Sequence, residues 1–328
     1  MAFRAIRMNR TDAGVTDALV TLDDADLDTG DVTVKVDYST INYKDGMAIA
    51  NAAPVIQRYP ITPGIDLAGT VTASDHAGFA PGDRVVLNGW GLSQTHDGGF
   101  AELARVPGDW LVPLPDAIGT RHAAAIGTAG YTAMLAVMAL EHAGVTPDAG
   151  DVLVTGANGG VGSVAIALLA RLGFRVIAST GRPAEAAYLK ALGAAEIVDR
   201  ATLSSAGKPI AAERWASAID SVGSHTLANV LAQTRYGGAV SACGLAQGAD
   251  LPATVLPFII RGVTLCGIDS VNAPHARRVA AWNRLATDLD LARLDTMVMT
   301  VSLAEAPAVA RSIFAGQIRG RTLVDVNA

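Results

Sequence analysis

One stretch constrains the fold more than any other. It is Val152-Leu-Val-Thr-Gly156-Ala-Asn158-Gly159-Gly160-Val161-Gly162-Ser163, running directly into Val164-Ala-Ile-Ala-Leu-Leu-Ala-Arg-Leu-Gly173. An apolar run, a cluster of glycines and an apolar run at helical spacing form the order that a dinucleotide-binding strand, turn and helix require. Gly159 lets the backbone approach a pyrophosphate and Gly162 lets the helix pack tightly on the strand. The free N–H groups of the first helical turn, at Gly160 and Val161, attract the negative charge. Ala157 stands where the first glycine of the usual G-x-G-x-x-G lies, so the surrounding elements must support the assignment.

They do so by alternating. Phe174 to Thr180 reads as a second strand and Ala184 to Leu192 as a helix closed by Gly193. Strand-like pieces follow at Glu196–Asp199, Ala216–Asp220, Gly238–Cys243 and Val263–Ile268. Strands alternating with helices give a Rossmann-type, doubly wound parallel sheet. The N-terminal part differs: short alternating runs such as Asp31–Tyr38, Ile65–Thr72 and Gly82–Leu87, broken by Gly, Pro and Asp, suggest a small antiparallel barrel or sandwich. Helical pattern is almost absent there until a long alanine-rich run, His122 to Glu141. The expected division is residues 1–122 as one domain and 123–295 as the nucleotide domain. A helical stretch from Leu303 to Phe314 and a last strand, Arg321 to Val326, lie in a tail (296–328) expected to return to the first domain.

The end of the second strand selects the cofactor. NAD-binding units place an Asp or Glu there for the ribose hydroxyls. Here the segment is Ala178-Ser179-Thr180-Gly181-Arg182, with no carboxylate. Two hydroxyls and a guanidinium suit a 2′-phosphate, so NADPH is favoured; the competing reading makes Arg182 only a turn cap. Arg200, after the third strand, is a weaker candidate for the same edge.

Composition narrows the function class. A 17% charged fraction and a net charge of −6 argue against nucleic acid as the main partner and fit a small-molecule substrate. Cys243 and Cys266 sit in apolar runs and read as buried reduced thiols. The N-terminus alternates like a strand and lacks the apolar core of a signal peptide. Apolar segments are expected to fall short of the ~20 residues that span a bilayer, so the expected location is the cytoplasm.

Five stretches carry a resemblance: Ser39-Thr-Ile-Asn-Tyr-Lys-Asp45, Pro63 to Val71, Gly82-Asp-Arg-Val85, Gly98-Gly-Phe-Ala-Glu102 and the glycine turn itself, Thr155 to Gly162. Together they resemble the medium-chain dehydrogenase/reductase superfamily over essentially the whole chain. The resemblance implies a GroES-like, mainly antiparallel β-barrel domain beside the Rossmann-type one. Zinc-dependent members carry Cys where this chain has Asn42, and His-Glu where it has Ile65 and Asp66, so no metal is expected. The match is to the zinc-free, quinone-oxidoreductase-like branch. Asn42-Tyr-Lys-Asp45, Thr180-Gly-Arg182, Cys243-Gly-Leu-Ala246, Gly267-Ile-Asp-Ser-Val271 and Ile318-Arg-Gly-Arg-Thr-Leu-Val324 look most like its bacterial acryloyl-CoA reductase subgroup.

That resemblance implies NADPH-dependent reduction of a short 2-enoyl-CoA to the saturated thioester, and a homodimer joined through the nucleotide domains. Asn42 and Tyr43 would face the nicotinamide, one offering an N–H to the developing oxyanion and the other a proton or hydrogen bond. Asp45 and Asp66 would orient neighbours. Thr132, Gly244, Leu245, Ile268, Asp269, Ser270 and Arg319 are further cofactor candidates, with Thr128 at the helix start. Arg261, Arg277, Arg278, Arg319 and Arg321 are candidates for a basic rim toward CoA phosphates. Two alternatives stay open: an NADPH:quinone oxidoreductase, and a non-catalytic NADPH-binding protein whose partner is RNA or protein.

Overall fold

The computed structural model describes residues 2–328, which divide into two compact units. Of these, the first comprises residues 2–128, 270–286 and 297–328; the second comprises residues 129–269 and 287–296. In the first unit β1 (Phe3–Thr11) and β2 (Gly14–Leu22) form a hairpin. They are followed by β3 (Val32–Ile41), α1 (Tyr43–Ile49), β4 (Asp66–Ser74), β5 (Arg84–Asn88), β6 (Leu103–Val106) and β7 (Val112–Pro113). Val32, Val34 and Val36 are buried while Thr33 and Lys35 face outward, the period-two pattern that fixes strand register.

A long helix, α2 (Thr120–His142), leads toward the second unit. There β8 (Val152–Val154), α3 (Gly160–Arg171), β9 (Val176–Thr180), α4 (Ala186–Ala191), β10 (Ala194–Asp199) and β11 (Trp215–Asp220) alternate. The pattern continues through α5 (Ser224–Ala232), β12 (Thr234–Ala242), α6 (Leu256–Arg261) and β13 (Thr264–Gly267). The sheet order β10-β9-β8-β11-β12-β13 is parallel throughout. Every residue of β8 and β11 is buried, as expected of central strands covered on both faces. Trp215, Leu153, Ile177, Val230 and Val240 centre this core.

The chain ends with α7 (His275–Asp288), α8 (Leu291–Asp295), β14 (Val298–Ser302), α9 (Ala306–Phe314) and β15 (Arg321–Asp325). β15 pairs antiparallel with β3, so the tail completes the seven-stranded sheet of the first unit, ordered β14-β15-β3-β4-β5-β7 with β6 beside β3.

Three expectations need correction. Residues 270–286 pack with the first unit rather than the nucleotide unit, because buried Trp282 and Arg278 bond to Asn88. The alanine-rich helix is 23 residues long and apolar enough to cross a membrane by length and composition, contrary to the expected short apolar segments; 89% of its apolar window is buried inside the fold. It is also broken at Gly127, whose φ of 49° and ψ of −163° are non-helical. Finally, both cysteines are free thiols and only partly buried.

Candidate active site

In the first unit a polar centre forms where β3 ends and α1 begins. Asn42 caps α1, its backbone N–H donating to Asp45 Oδ2 at 2.8 Å. Its side-chain Nδ2 donates to Asp66 Oδ2 at 2.7 Å and to Asp45 Oδ2 at 3.2 Å. Both amide hydrogens are thereby engaged. Asp66 opens β4 and also accepts from Asn88 Nδ2 at 2.8 Å and from the Thr128 N–H at 2.8 Å. The Thr128 hydroxyl donates to the same carboxylate.

Burial pushes the Asp45 carboxyl up to about 7, helped by the charge of Asp66 and opposed by hydrogen bonds from Asn42 and Ile65. Tyr43, first in α1, is 41% exposed and rests its ring on Phe314, 5.4 Å between centroids. Gly46 allows this approach of α1 to α9: a Cβ there would sit 2.6 Å from Ala310 O and 2.9 Å from Phe314 Cβ.

Arg321 begins β15 and is only 2% exposed. It belongs to this polar centre, donating to Ala125 O, Thr40 Oγ1 and Asn42 Oδ1. Arg278 is 1% exposed and donates to the carbonyls of Ala273 and Asn88 while covering the Trp90 ring at 4.3 Å. Neither is a surface rim for CoA phosphates. Arg261 bonds to the carbonyls of Ala232, Thr234 and Ala211. Arg277 and Arg319 are exposed.

In the second unit the turn after β8 is built as its glycines demand. Gly156 has φ of 58°, Gly159 caps α3, and a Cβ on Gly162 would lie 2.5 Å from Gly156 O and 2.7 Å from Ala157 Cα. Asn158 Oδ1 bonds the Thr180 hydroxyl, which also accepts from the Arg182 N–H at 2.9 Å. Asn158 Nδ2 is a buried donor without a partner. Ser179 is buried on β9, and the Arg200 side chain lies where a Cβ on Gly181 would be.

Thus Asn158 to Gly162, Ser179 to Arg182 and Arg200 gather at one carboxyl edge of the parallel sheet, where nucleotides bind in such folds. The orphaned amide, the close glycines and the two arginines fit an anionic dinucleotide. Gly244 and Leu245 follow β12, and Ile268 and Asp269 follow β13, on the same edge; Thr132 is buried on α2. Ser270 and Tyr43 belong to the first unit.

Sequence reasoning overlooks Asn88, Gly127 and Tyr188, the last bonding Ser163 Oγ at 2.9 Å next to the glycine turn. It also misreads Arg321 as surface. The signal for Arg321 was a charge at the head of a strand, Arg321-Thr-Leu-Val-Asp325, whose next three residues are also buried.

Comparison with known proteins agrees with this geometry. Residues 28–116 match the family described as alcohol dehydrogenase GroES-like domain, and residues 160–287 match zinc-binding dehydrogenase. The acrylyl-CoA reductase AcuI of Ruegeria pomeroyi is 52% identical over 99% of this chain and 100% of its own. The putative quinone oxidoreductase YhfP of Bacillus subtilis is 44% identical over 98% of each. Among solved structures, the yhdH oxidoreductase of Salmonella enterica in complex with NADP superposes with a TM-score of 0.97 at 49% identity, covering 98% of this chain and 99% of that one.

Despite the second family's description, the residues here do not fit zinc. Ile65 has no donor atom, and the Asp66 carboxylate is occupied by Asn42, Asn88 and Thr128. Among the described residues no group of three or more His, Cys, Asp or Glu could hold a metal ion.

Proposed function

The chain belongs to the medium-chain dehydrogenase/reductase superfamily, and from that premise we propose that it reduces the carbon–carbon double bond of a short 2-enoyl-CoA with NADPH, converting acryloyl-CoA to propanoyl-CoA. The observation that carries this reading is the 52% identity, over the full length, to a reductase of acrylyl-CoA.

Gly159, Gly160, Val161 and Gly162 would hold the pyrophosphate, with Asn158 Nδ2 as an added donor. Ser179, Thr180, Gly181, Arg182 and Arg200 would hold the 2′-phosphate. Thr132, Gly244, Leu245, Ile268, Asp269, Ser270, Tyr43 and Arg319 are assigned to the remainder of the dinucleotide. The chemistry that the bound dinucleotide supplies is a hydride for the electron-poor alkene carbon.

The chain's own residues must then stabilise charge at the thioester oxygen and provide a proton at the α-carbon. Tyr43, exposed and held by Phe314, is the group we assign to donate to substrate. Asn42 has both amide hydrogens on carboxylates, so its part is to hold the turn that carries Tyr43. Asp45 and Asp66 orient Asn42. No step is assigned to a metal.

We extend the reading to a homodimer joined through the nucleotide unit. Tyr236, Val255, Ile259 and Ile260 are large exposed apolar residues on or beside β12 and α6, near the sheet edge closed by β13. A cytoplasmic location accords with the two free thiols and with a supply of NADPH.

Steady-state NADPH oxidation with acryloyl-CoA, crotonyl-CoA and benzoquinone side by side tests the function. The highest kcat/KM is expected for acryloyl-CoA. A clear preference for benzoquinone would instead favour the quinone-reductase reading, which the likeness to YhfP keeps in view. Tight NADPH binding without turnover of any acceptor would favour a non-catalytic binding protein.

A further inference from the structure

We propose that Arg321 is a positioning residue for this reaction: it fixes the amide of Asn42, and so the Tyr43 turn, while bracing the helix break at Gly127. The inference rests on the assignment of Tyr43 to the reacting edge. Arg321 Nε donates to Ala125 O at 2.8 Å and one terminal nitrogen donates to Thr40 Oγ1 at 2.9 Å. Both terminal nitrogens also face Asn42 Oδ1 at 3.4 Å.

The Asn42 amide is held by charge at both ends. Its Nδ2 meets two carboxylates, Asp66 and Asp45, and its oxygen meets a guanidinium. A flip would set the carbonyl oxygen against two anions and the NH2 against a cation. The carboxylates and the guanidinium thus favour the same orientation, and Arg321 adds the hold on the amide oxygen that the carboxylates cannot supply. Tyr43 is the next residue, and its backbone position follows from that cap.

The same guanidinium braces α2 where its pattern fails. Ala125, whose carbonyl it caps, lies in the last turn of the first helical segment; Asp66 accepts from Thr128, which begins the second. A cation at a helix C-terminus and an anion at a helix N-terminus both oppose the local dipole charge. Between them Gly127 has φ of 49°, and a Cβ there would meet Thr40 Cγ2 at 2.5 Å, Arg321 at 2.7 Å and Asp66 at 2.9 Å. Glycine is what the junction admits.

Buried charge sets of this kind contribute little net stability compared with apolar packing, so their benefit here is geometric. Lysine cannot replace the fork, because one ammonium cannot reach Ala125, Thr40 and Asn42 in the same plane.

The test uses Arg321→Lys and the double variant Asp66→Asn/Arg321→Met, which removes one charge of each sign so that Asp66 is not left as a buried anion without its cation. kcat and KM for acryloyl-CoA, the NADPH Kd, and the NMR resonance of 13C-labelled Tyr43, assigned with Tyr43→Phe, are measured on each. The expected result is a kcat loss of about 30-fold or more, with KM and NADPH Kd within roughly threefold and the Tyr43 resonance shifted. A folded double variant whose kcat stays within roughly threefold, whose Tyr43 resonance is unmoved, or whose NADPH binding falls in proportion to kcat overturns the proposal. If the unaltered protein turns over no enoyl-CoA, the reaction reading fails on its own, and the Tyr43 resonance alone decides whether Arg321 positions that turn.

Discussion

The Arg200 side chain occupies the space that a β-carbon on Gly181 would fill, one residue from Arg182. The Arg200 guanidinium thus lies against the end of β9, whose last residue, Thr180, already bonds Asn158 and the backbone N–H of Arg182. Arg182→Ala should weaken NADPH about 10- to 100-fold, the range of one or two charge-assisted hydrogen bonds, and NADH hardly at all. Fluorescence titration with both nucleotides checks this; equal losses would mean that the 2′-phosphate binds elsewhere.

Gly162 makes a different prediction because it acts through packing. Gly162→Ala places a methyl 2.5 Å from Gly156 O and 2.7 Å from Ala157 Cα, so α3 must move off β8 or the turn must shift. Overpacking of this kind costs about 1–3 kcal/mol. The melting temperature should fall, and NADPH and NADH should weaken alike, since the pyrophosphate turn serves both. Selective loss of one nucleotide would contradict the role given to this glycine.

Asp45 supplies a pH dependence with a definite sign. Burial raises its carboxyl from 3.8 to about 7. An unfolded chain loses this proton near the ordinary value, whereas the folded chain retains it until about neutrality. Between those limits the native state binds more protons, so the contribution is fully present below about pH 4 and disappears as pH rises through about 7. Asp45→Asn should remove that slope, and its stability relative to the unaltered protein should rise with pH. Urea denaturation at intervals from pH 4.5 to 8, about the window that linkage defines, measures it; parallel curves for the two proteins would show that Asp45 is ionised throughout.

How far the residues announced this arrangement depended on whether the signal was local. The Rossmann-type unit was legible because each step of strand, glycine turn and helix is contiguous, and Gly156, Gly159 and Gly162 leave few alternatives. β3 was legible from the alternation of Val32, Val34 and Val36. The return of β15 to β3 was visible only as an unclaimed terminal strand. Gly127 was not legible: hydropathy runs unbroken from Ala123 to Leu140, and only the long-range partners Thr40, Asp66 and Arg321 reveal why the helix stops there. The same holds for Asn42, whose sequence position suggests a free donor but whose hydrogens are claimed by carboxylates 3 and 24 residues away.

The apolar face of the nucleotide unit carries the last prediction. Ile259 is 71% exposed and Tyr236 77%, with Val255 and Ile260 beside them. β13 ends the sheet on that side, and an edge strand with apolar neighbours is a ready template for pairing with another chain. Placing a carboxylate in such a contact leaves a charge to be desolvated without a partner, which costs several kcal/mol per interface. Ile259→Asp should therefore shift sedimentation from twice the 33.6 kDa chain mass to a single chain, while NADPH binding, which uses the opposite ends of β8 and β9, is retained. A single-chain mass for the unaltered protein at micromolar concentration would rule out the dimer, and an unchanged double mass in the variant would place its interface elsewhere.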